Sequence, residues 1–402
     1  MNRPNRAACG LHAARLMLLM LLILPLRALA TQHPLQWSGF GTVGGLWVDT
    51  EALYFNHPSK PGTAPDRPDF SADSVIGLQA MWSLGAHTDL TVQLLSSDDY
   101  RNGYRPRVGW AFLRHDLRPD LSLRAGRLAP SFFMLSESVN LNYANPWMRP
   151  PVEVYGLNPF TALDGADLIH TRRIGSTDLE VRPYAGQGSM HFPHGRSTLR
   201  DALGLSIAAS RGNLSLQAGY GSGRIAVHYD DPLFRLIASQ MAATAHPLLP
   251  SLSGGGIRAR FMSFGFRWDD GRWQLIGEYA RRHTSRTIPT AHGWHLTAAR
   301  RSGRFTPFVT LARQSQLRPL FEAQPHILAF DAYRHSRSNA QRSVSVGVRW
   351  DVHPQTALKL QWTHVRVGHH AWGAFFPVDE TAGTSPAGRS VDMFGLSLDF
   401  VF

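Results

Sequence analysis

The sequence predicts an all-β chain, a transmembrane antiparallel β-barrel of about sixteen strands with one long, inward-folded connection after the fifth. Three observations predict it. After an N-terminal leader, no apolar run approaches the ~20 residues that a membrane helix needs. The rest of the chain breaks into short segments in which apolar and polar residues alternate, as in a strand with one face in lipid and the other in water. The connections between these segments alternate between very short and long.

Residues 1–30 read as a secretory signal. Arg3, Arg6 and Arg15 make a basic start, Leu16–Leu24 is an apolar run too short to span a bilayer, and Ala28-Leu29-Ala30 is a small-residue cleavage site. Cleavage after Ala30 leaves residues 31–402 as a single barrel domain. Cys9 precedes the apolar run and leaves with the leader, which excludes disulfides, Cys-based metal sites and Cys nucleophiles from the mature chain. The formal charge is +12, of which Arg3, Arg6, Arg15 and Arg27 of the leader supply four, leaving +8. Nearly all of it is arginine, since Lys60 and Lys359 are the only lysines. Such an exported chain suits anionic headgroups or anionic solutes; nucleic acid is not met outside the cytoplasm.

Trp37–Trp47 opens the series, and its Gly39, Gly41, Gly44 and Gly45 suit a strand crowded by neighbouring backbone. In Val75–Leu84, Ile76, Leu78, Ala80 and Trp82 share one face against Gly77, Gln79 and Ser83, with Met81 an apolar exception. Leu90–Ser96, Val108–Leu117 and Leu121–Arg127 follow. Beyond the long connection come Asp167–Ile174 with Leu179–Gly186, and Arg200–Arg211 with Leu214–Gly221. Next are Ile257–Trp268 with Trp273–Arg282, and Ala291–Arg301 with Arg304–Arg313. Ser343–Val352 sets Val344, Val346, Val348 and Trp350 against Ser345, Gly347, Arg349 and Asp351; Ala357–Val367 and Val391–Phe402 close the chain. Trp82, Trp110, Trp268, Trp273, Trp350 and Phe402 sit near strand ends, as interfacial girdles require. Pro183 and Pro307 fall inside proposed strands, where a bulge or a strand end is expected. A soluble sandwich would need far fewer strands, and no repeat period supports a solenoid.

Two connections stand out. Leu128–Gly165 carries Phe132, Phe133, Met134, Tyr143, Trp147 and Tyr155, too many large apolar side chains to stay solvated, so it needs a cavity to fold into. In residues 222–256, Asp231 before Pro232 is a helix-start signal, with Leu233, Leu236, Ile237 and Met241 at helical spacing. A short helix packed on the barrel mouth is expected there.

An exported chain of this kind, ending in Phe402 after Phe394, Leu396, Leu398 and Phe400, resembles the Gram-negative outer-membrane porins of the sixteen-stranded general type. The most specific pieces are the opening SGFGTVGGLW, LRAGR before the long connection, and PVEVYG within it, which is similar to the acid-and-aromatic segment of a porin constriction loop. The resemblance implies an outer-membrane channel that passes small hydrophilic solutes without cofactor or energy source. It also implies a homotrimer in contact with lipopolysaccharide, its C-terminal Phe402 read by the barrel-assembly machinery. The departure is charge. Cation-preferring porins carry an acidic cluster on that loop, whereas here Glu137, Glu153 and Asp164 are accompanied by Arg149.

With the apolar face outward, Arg124, Arg182, Arg349 and Lys359 are expected to point into the lumen with Glu180, Glu278, Asp351 and Asp399. A constriction sets a transverse field between acids on the loop and a basic wall. The candidates are Glu153 and Asp164, facing Arg124 and whichever of Arg172 and Arg173 points inward, with Arg127, Arg149 and Arg182 completing the set. The same arginines suit a second role, pinning the loop to the wall by charge-assisted bonds, and the two are compatible. Arginine's planar fork and the +8 balance favour anionic or zwitterionic solutes slightly. A solute-specific channel of the same architecture is the alternative reading.

Enzyme readings find little support. Gly204–Ala208 only approaches a nucleophile elbow and lies in mid-strand. His292 with His295, His369 with His370, and His191 with His194 lack an acid at metal-ligand spacing. A barrel hydrolase would need His295 to meet a serine and an acid at the rim.

Overall fold

The structure, a computed structural model, describes residues 35–56, 67–98, 103–192, 195–252, 254–285, 288–317, 321–322, 324–378 and 384–402. The leader, Lys60 and His194 lie outside the described residues. The strands are β1 (Leu35–Val48), β2 (Val75–Gly85), β3 (Thr88–Ser97), β4 (Arg107–Arg118), β5 (Leu121–Leu128), β6 (Leu163–Ile174), β7 (Thr177–Phe192) and β8 (Gly195–Arg211). They continue with β9 (Leu214–Tyr229), β10 (Gly254–Asp269), β11 (Trp273–Thr284), β12 (Ala291–Arg300), β13 (Phe305–Gln316), β14 (Gln341–His353), β15 (Thr356–Val367) and β16 (Ser390–Val401). Each pairs antiparallel with its neighbours in sequence, and β1 pairs with β16 to close the barrel.

Closure depends on the glycines of β1. A side chain at Gly39 or Gly41 would enter the rings of Phe402 and Phe400, which lie across that strand. The gap lets the last strand run in unbroken register from Val401 beside Phe40 to Met393 beside Val48.

Period-2 alternation separates the two faces. Leu203, Leu205, Ile207, Val344, Val346, Leu360 and Leu396 stay exposed on one, while Ser206, Ser343, Ser345, Gln361 and Ser397 are buried on the other. In a closed cylinder the withdrawn, polar face is the inner one, and the exposed apolar face is the one that lipid would cover. Trp82, Trp273, Trp350 and Phe402 are exposed on the outer face. Trp110 departs from the girdle: at a register shift between β3 and β4 it pairs with inward Gln93.

The prolines are accommodated in two ways. Pro307 lies just beyond the β12–β13 ladder, which ends at Ala299 opposite Phe308, so its missing donor falls at a strand end as expected. At Pro183 there is neither bulge nor end. The β6–β7 ladder resumes in the same register on either side of an unpaired gap between Asp167–Tyr184 and His170–Val181.

Strands β7 to β10 are 16, 17, 16 and 16 residues long, well beyond the ~10 a bilayer needs. They raise the wall at the end bearing the long connections, and they shorten the expected connection 222–256, since β9 runs to Tyr229 and β10 starts at Gly254. Among the described residues this end is capped by the helices Pro232–Ala243, with Asp231 accepting the Phe234 N–H at 2.7 Å, and Phe330–Ser336, joined by the single turn Leu249–Leu252. Leu233, Ile237 and Met241 of the first pack with Phe330, Tyr333 and Trp372, whereas Leu236 faces out. Arg337 joins the two, donating to Asp231 at 2.6 Å and stacking over Tyr229 and Tyr333.

Candidate constriction between the insert and the barrel wall

Residues 129–162, between β5 and β6, take their hydrogen bonds from the inner faces of strands on many sides of the cylinder. Lys359 on β15 donates to the carbonyls of Asn142 (2.6 Å) and Trp147 (2.8 Å), and Gln361 accepts the Met148 N–H (3.0 Å). Glu278 on β11 accepts the Met134 N–H (3.0 Å) and the Tyr155 hydroxyl (2.7 Å). Ser263 on β10 donates to the Phe132 carbonyl, Gln217 on β9 to that of Phe133, and Asn142 to Thr42 on β1. At Gly293 on β12 any Cβ would collide with the Glu153 carbonyl, so glycine is what lets the insert approach that strand.

The large side chains of the insert settle on one side. Phe132, Phe133, Leu135, Trp147, Tyr155, Leu157 and Phe160 form one buried core with Tyr184, Ile225, Phe261, Ile276 and Phe308 of the wall. Elsewhere a cavity of about 540 Å³ remains, bordered by Ser38, Gln79, Gln93, Arg107, Arg127, Glu137, Asn140 and Asp164.

Charge at the border of this cavity is organised by Glu137. Its carboxylate accepts from Arg124 on β5 at 2.9 Å and from Arg182 on β7 at 2.8 Å. Arg124 also grips Asp167 on β6 through two bonds of 2.9 and 2.5 Å, and Arg182 reaches Ser131 and Glu180 at 2.9 Å each. Burial pushes the Glu137 carboxyl up, but Arg182 and Arg124 outweigh it and hold the group below its ordinary value.

Several expected partners are exchanged. The acid on the strand beside Arg124 is Asp167, not Asp164. Asp164 pairs with Arg127 at 2.7 and 2.9 Å. Arg127 follows Arg124 by three positions, which alternation would set on the opposite face, yet both Arg127 and Asp164 border the cavity; Gly126, at φ +135°, lies between the two arginines, and neither ladder shifts register there. Glu153 does not face Arg124: it is 3% exposed and accepts from Gln341 (2.8 Å) and Ser343 (2.7 Å) on β14. Arg149 is withdrawn as well, gripping Asp73 and stacking over Phe55. Register separates the adjacent arginines: Arg173 pairs with Asp178 on the face of Glu180 and Arg182, whereas Arg172 sits opposite outward Leu179 near the short-turn end.

The remaining lumen candidates act as fasteners. Lys359 and Asp399 are fully buried as a 2.8 Å ion pair, with Asp399 also accepting from Thr42 at 2.7 Å. Glu278 is taken by the insert, and Arg349 pairs with Asp351 (2.7 Å) while donating to the Tyr143 carbonyl. His295 packs 5.7 Å from Trp147 and 6.4 Å from Tyr155, with neither ring nitrogen bonded to a described residue. Sequence reasoning missed Asp167, Asp73 and Arg107. All three are ordinary polar residues whose place is set by register or by the far wall.

No protein-family model matches the sequence, and no curated protein does. Solved structures do. The chain is similar to an anion-selective porin from Comamonas acidovorans, with 12% identity and a TM-score of 0.55 over 92% of this chain and 100% of that one. It is similar to OmpF of Salmonella typhi in complex with daunomycin, with 10% identity and a TM-score of 0.55 over 92% and 97%. The trimer form of OmpT, an outer-membrane protein of Vibrio cholerae, gives 9% identity and a TM-score of 0.53 over 92% and 100%. At such identities the likeness is one of fold, the closed sixteen-strand barrel of Gram-negative outer-membrane porins.

Proposed function

We propose that the chain is an outer-membrane porin, a water-filled channel for passive diffusion of small hydrophilic solutes with a slight preference for anions, and that residues 129–162 are its inward constriction loop. The observation that carries this reading is Glu137, held by Arg124 and Arg182 beside a cavity of about 540 Å³ whose wall mixes polar and apolar side chains. A segment outside the cylinder could not reach the inner faces of β1, β10, β11 and β15 together. Facing charges along a narrow aqueous passage align polar solutes and disfavour apolar ones. Arg107, Arg124, Arg127 and Arg182 stand against Glu137, Asp164, Asp167 and Glu180, so the anion preference rests on the overall positive charge and is small.

On this reading the end with helices and long connections faces outside and the short turns face the periplasm. A homotrimer, Phe402 as the assembly signal and contact with lipopolysaccharide belong to the same proposal. A second reading, a solute-specific channel, is favoured by an apolar cavity of about 250 Å³ near the mouth, lined by Phe132, Leu157, Phe160, Tyr229 and Arg282.

Single-channel recording in planar bilayers under asymmetric salt tests both. Discrete conductance steps with a reversal potential displaced slightly toward anions are expected. Saturable block by one solute selects the second reading, and a barrel that inserts and passes no current sinks the first.

A further inference from the structure

The alternation of the wall inverts along the long strands. In β10, Ser263 is buried on the inner face between outward Met262 and Phe264, but toward the long connection the inner face turns apolar with Ile257, Ala259 and Phe261 while the outward positions become Arg258 and Arg260. In β8 the same exchange sets buried Leu199 and Ala202 beside outward Arg196 and Arg200, and Ile225 on β9 pairs with both Leu199 and Ile257. Outward arginines suit a wall that stands in water. Apolar side chains on the inside suit it only where something other than water covers them.

The core of the insert covers part of this inner surface through Phe132, Leu157 and Phe160. The rest is open as the cavity of about 250 Å³, walled further by Phe192, Tyr229, Trp372 and Phe376. A dry apolar cavity of ~150 Å³ admits benzene, so this one has room for a ring with a short side chain. Its charge is unbalanced. Asp231 is held by Arg337 at 2.6 Å, whereas Arg282 donates only to carbonyls: Nη1 to Leu157 at 2.8 Å, Nε and Nη2 to Pro289 at 3.3 and 3.1 Å. Three of its five N–H groups are used, and the two that remain, one on each terminal nitrogen, are the number a single carboxylate can accept. Trp372 is 2% exposed, with its indole N–H bonded to no described residue.

We infer that this cavity binds a monocarboxylate carried on an aromatic ring, its carboxylate on Arg282 and its ring among Phe160, Tyr229 and Phe261. Aromatic side chains on several sides favour a ring over an aliphatic chain, and the cation selects the acid over its neutral amide. The inference rests on the reading of the chain as a solute-specific channel and names the class of solute. Binding is read apart from current, so the two fail separately. A barrel that conducts without binding the acid sinks the inference, and one that binds the acid without passing current sinks the channel.

The test is isothermal titration calorimetry of the purified full chain in dodecyl maltoside at neutral pH, with empty micelles as the blank, against 3-phenylpropionate, 3-phenylpropionamide and acetate. Planar bilayers record current from the same preparation. Saturable binding of 3-phenylpropionate is expected, at least about tenfold tighter than that of the amide or of acetate. Arg282→Gln removes the preference for the acid over the amide. Ala259→Leu, which fills part of the cavity, weakens acid and amide alike, and Arg272→Gln, in a turn at the opposite end, changes neither. Circular dichroism checks that each variant keeps its sheet, and Ala259→Leu with the three wild-type titrations carries the test if Arg282→Gln does not fold. No saturable binding of 3-phenylpropionate, equal binding of the amide or of acetate, a preference retained in Arg282→Gln, or unchanged binding in Ala259→Leu would each overturn the inference.

Discussion

Lys359 and Asp399, on adjacent strands β15 and β16, form a 2.8 Å ion pair with both side chains withdrawn from solvent, and the same ammonium holds the insert through the carbonyls of Asn142 and Trp147. One cation thus serves both the barrel wall and the insert. Replacing it with methionine strands a buried carboxylate, at a cost of about 3–5 kcal/mol. Lys359→Met is expected to unfold at lower denaturant and to give noisier, larger conductance as residues 142–147 loosen. Lys359→Met/Asp399→Leu should recover stability while the conductance stays altered, and denaturant titration with bilayer recording checks both.

Glu137→Gln removes the negative partner shared by Arg124 and Arg182, and with it a carboxylate at the border of the cavity. The reversal potential under asymmetric salt should move toward anions. An unmoved potential would place the path of ions away from Glu137.

The same residue sets a pH window. Its value in the folded chain lies below the ordinary carboxyl value of 4.5, so the pairing is complete above that value and is lost only as pH falls through the depressed one. The difference in reversal potential between wild type and Glu137→Gln should hold from neutral pH to about pH 4.5 and close below it.

Glu153→Gln should behave otherwise. Its carboxylate is buried against Gln341 and Ser343 with no cation bonded to it among the described residues, so the reversal potential is expected to stay where it is. A shift equal to that of Glu137→Gln would show that ions reach Glu153.

The contrast between these two acids shows what the sequence makes legible. Alternation along Ser343–Val352 is visible because a strand repeats every two residues, and it marks Ser343 as inward without any partner being known. Which acid meets Arg124 depends on the register of β6, and a shift of one residue turns every side chain to the other face. Asp164 and Asp167 compete for that place three residues apart, and only the ladder decides between them. Glu153 lies in a segment without regular period, and its neighbours come from strands almost two hundred positions away in sequence, so local pattern carries no information about them.

At the mouth, Asp231 both caps the helix Pro232–Ala243 and pairs with Arg337. Asp231→Ala should cost about 1 kcal/mol for the cap alone. Limited proteolysis of the reconstituted protein should then cut within residues 232–243 faster than in wild type, with strands β9 and β10 intact.

The rings of Phe400 and Phe402, laid over glycines in the opening strand, bear on the order of events during biogenesis. The last strand of the barrel must find its first, so an intermediate in which residues 390–402 are not yet placed exposes two rows of unbonded amides and carbonyls that hydrocarbon cannot solvate. Shortening the chain by one strand would therefore yield not a smaller pore but a species unable to enter the bilayer, left to chaperones and proteases.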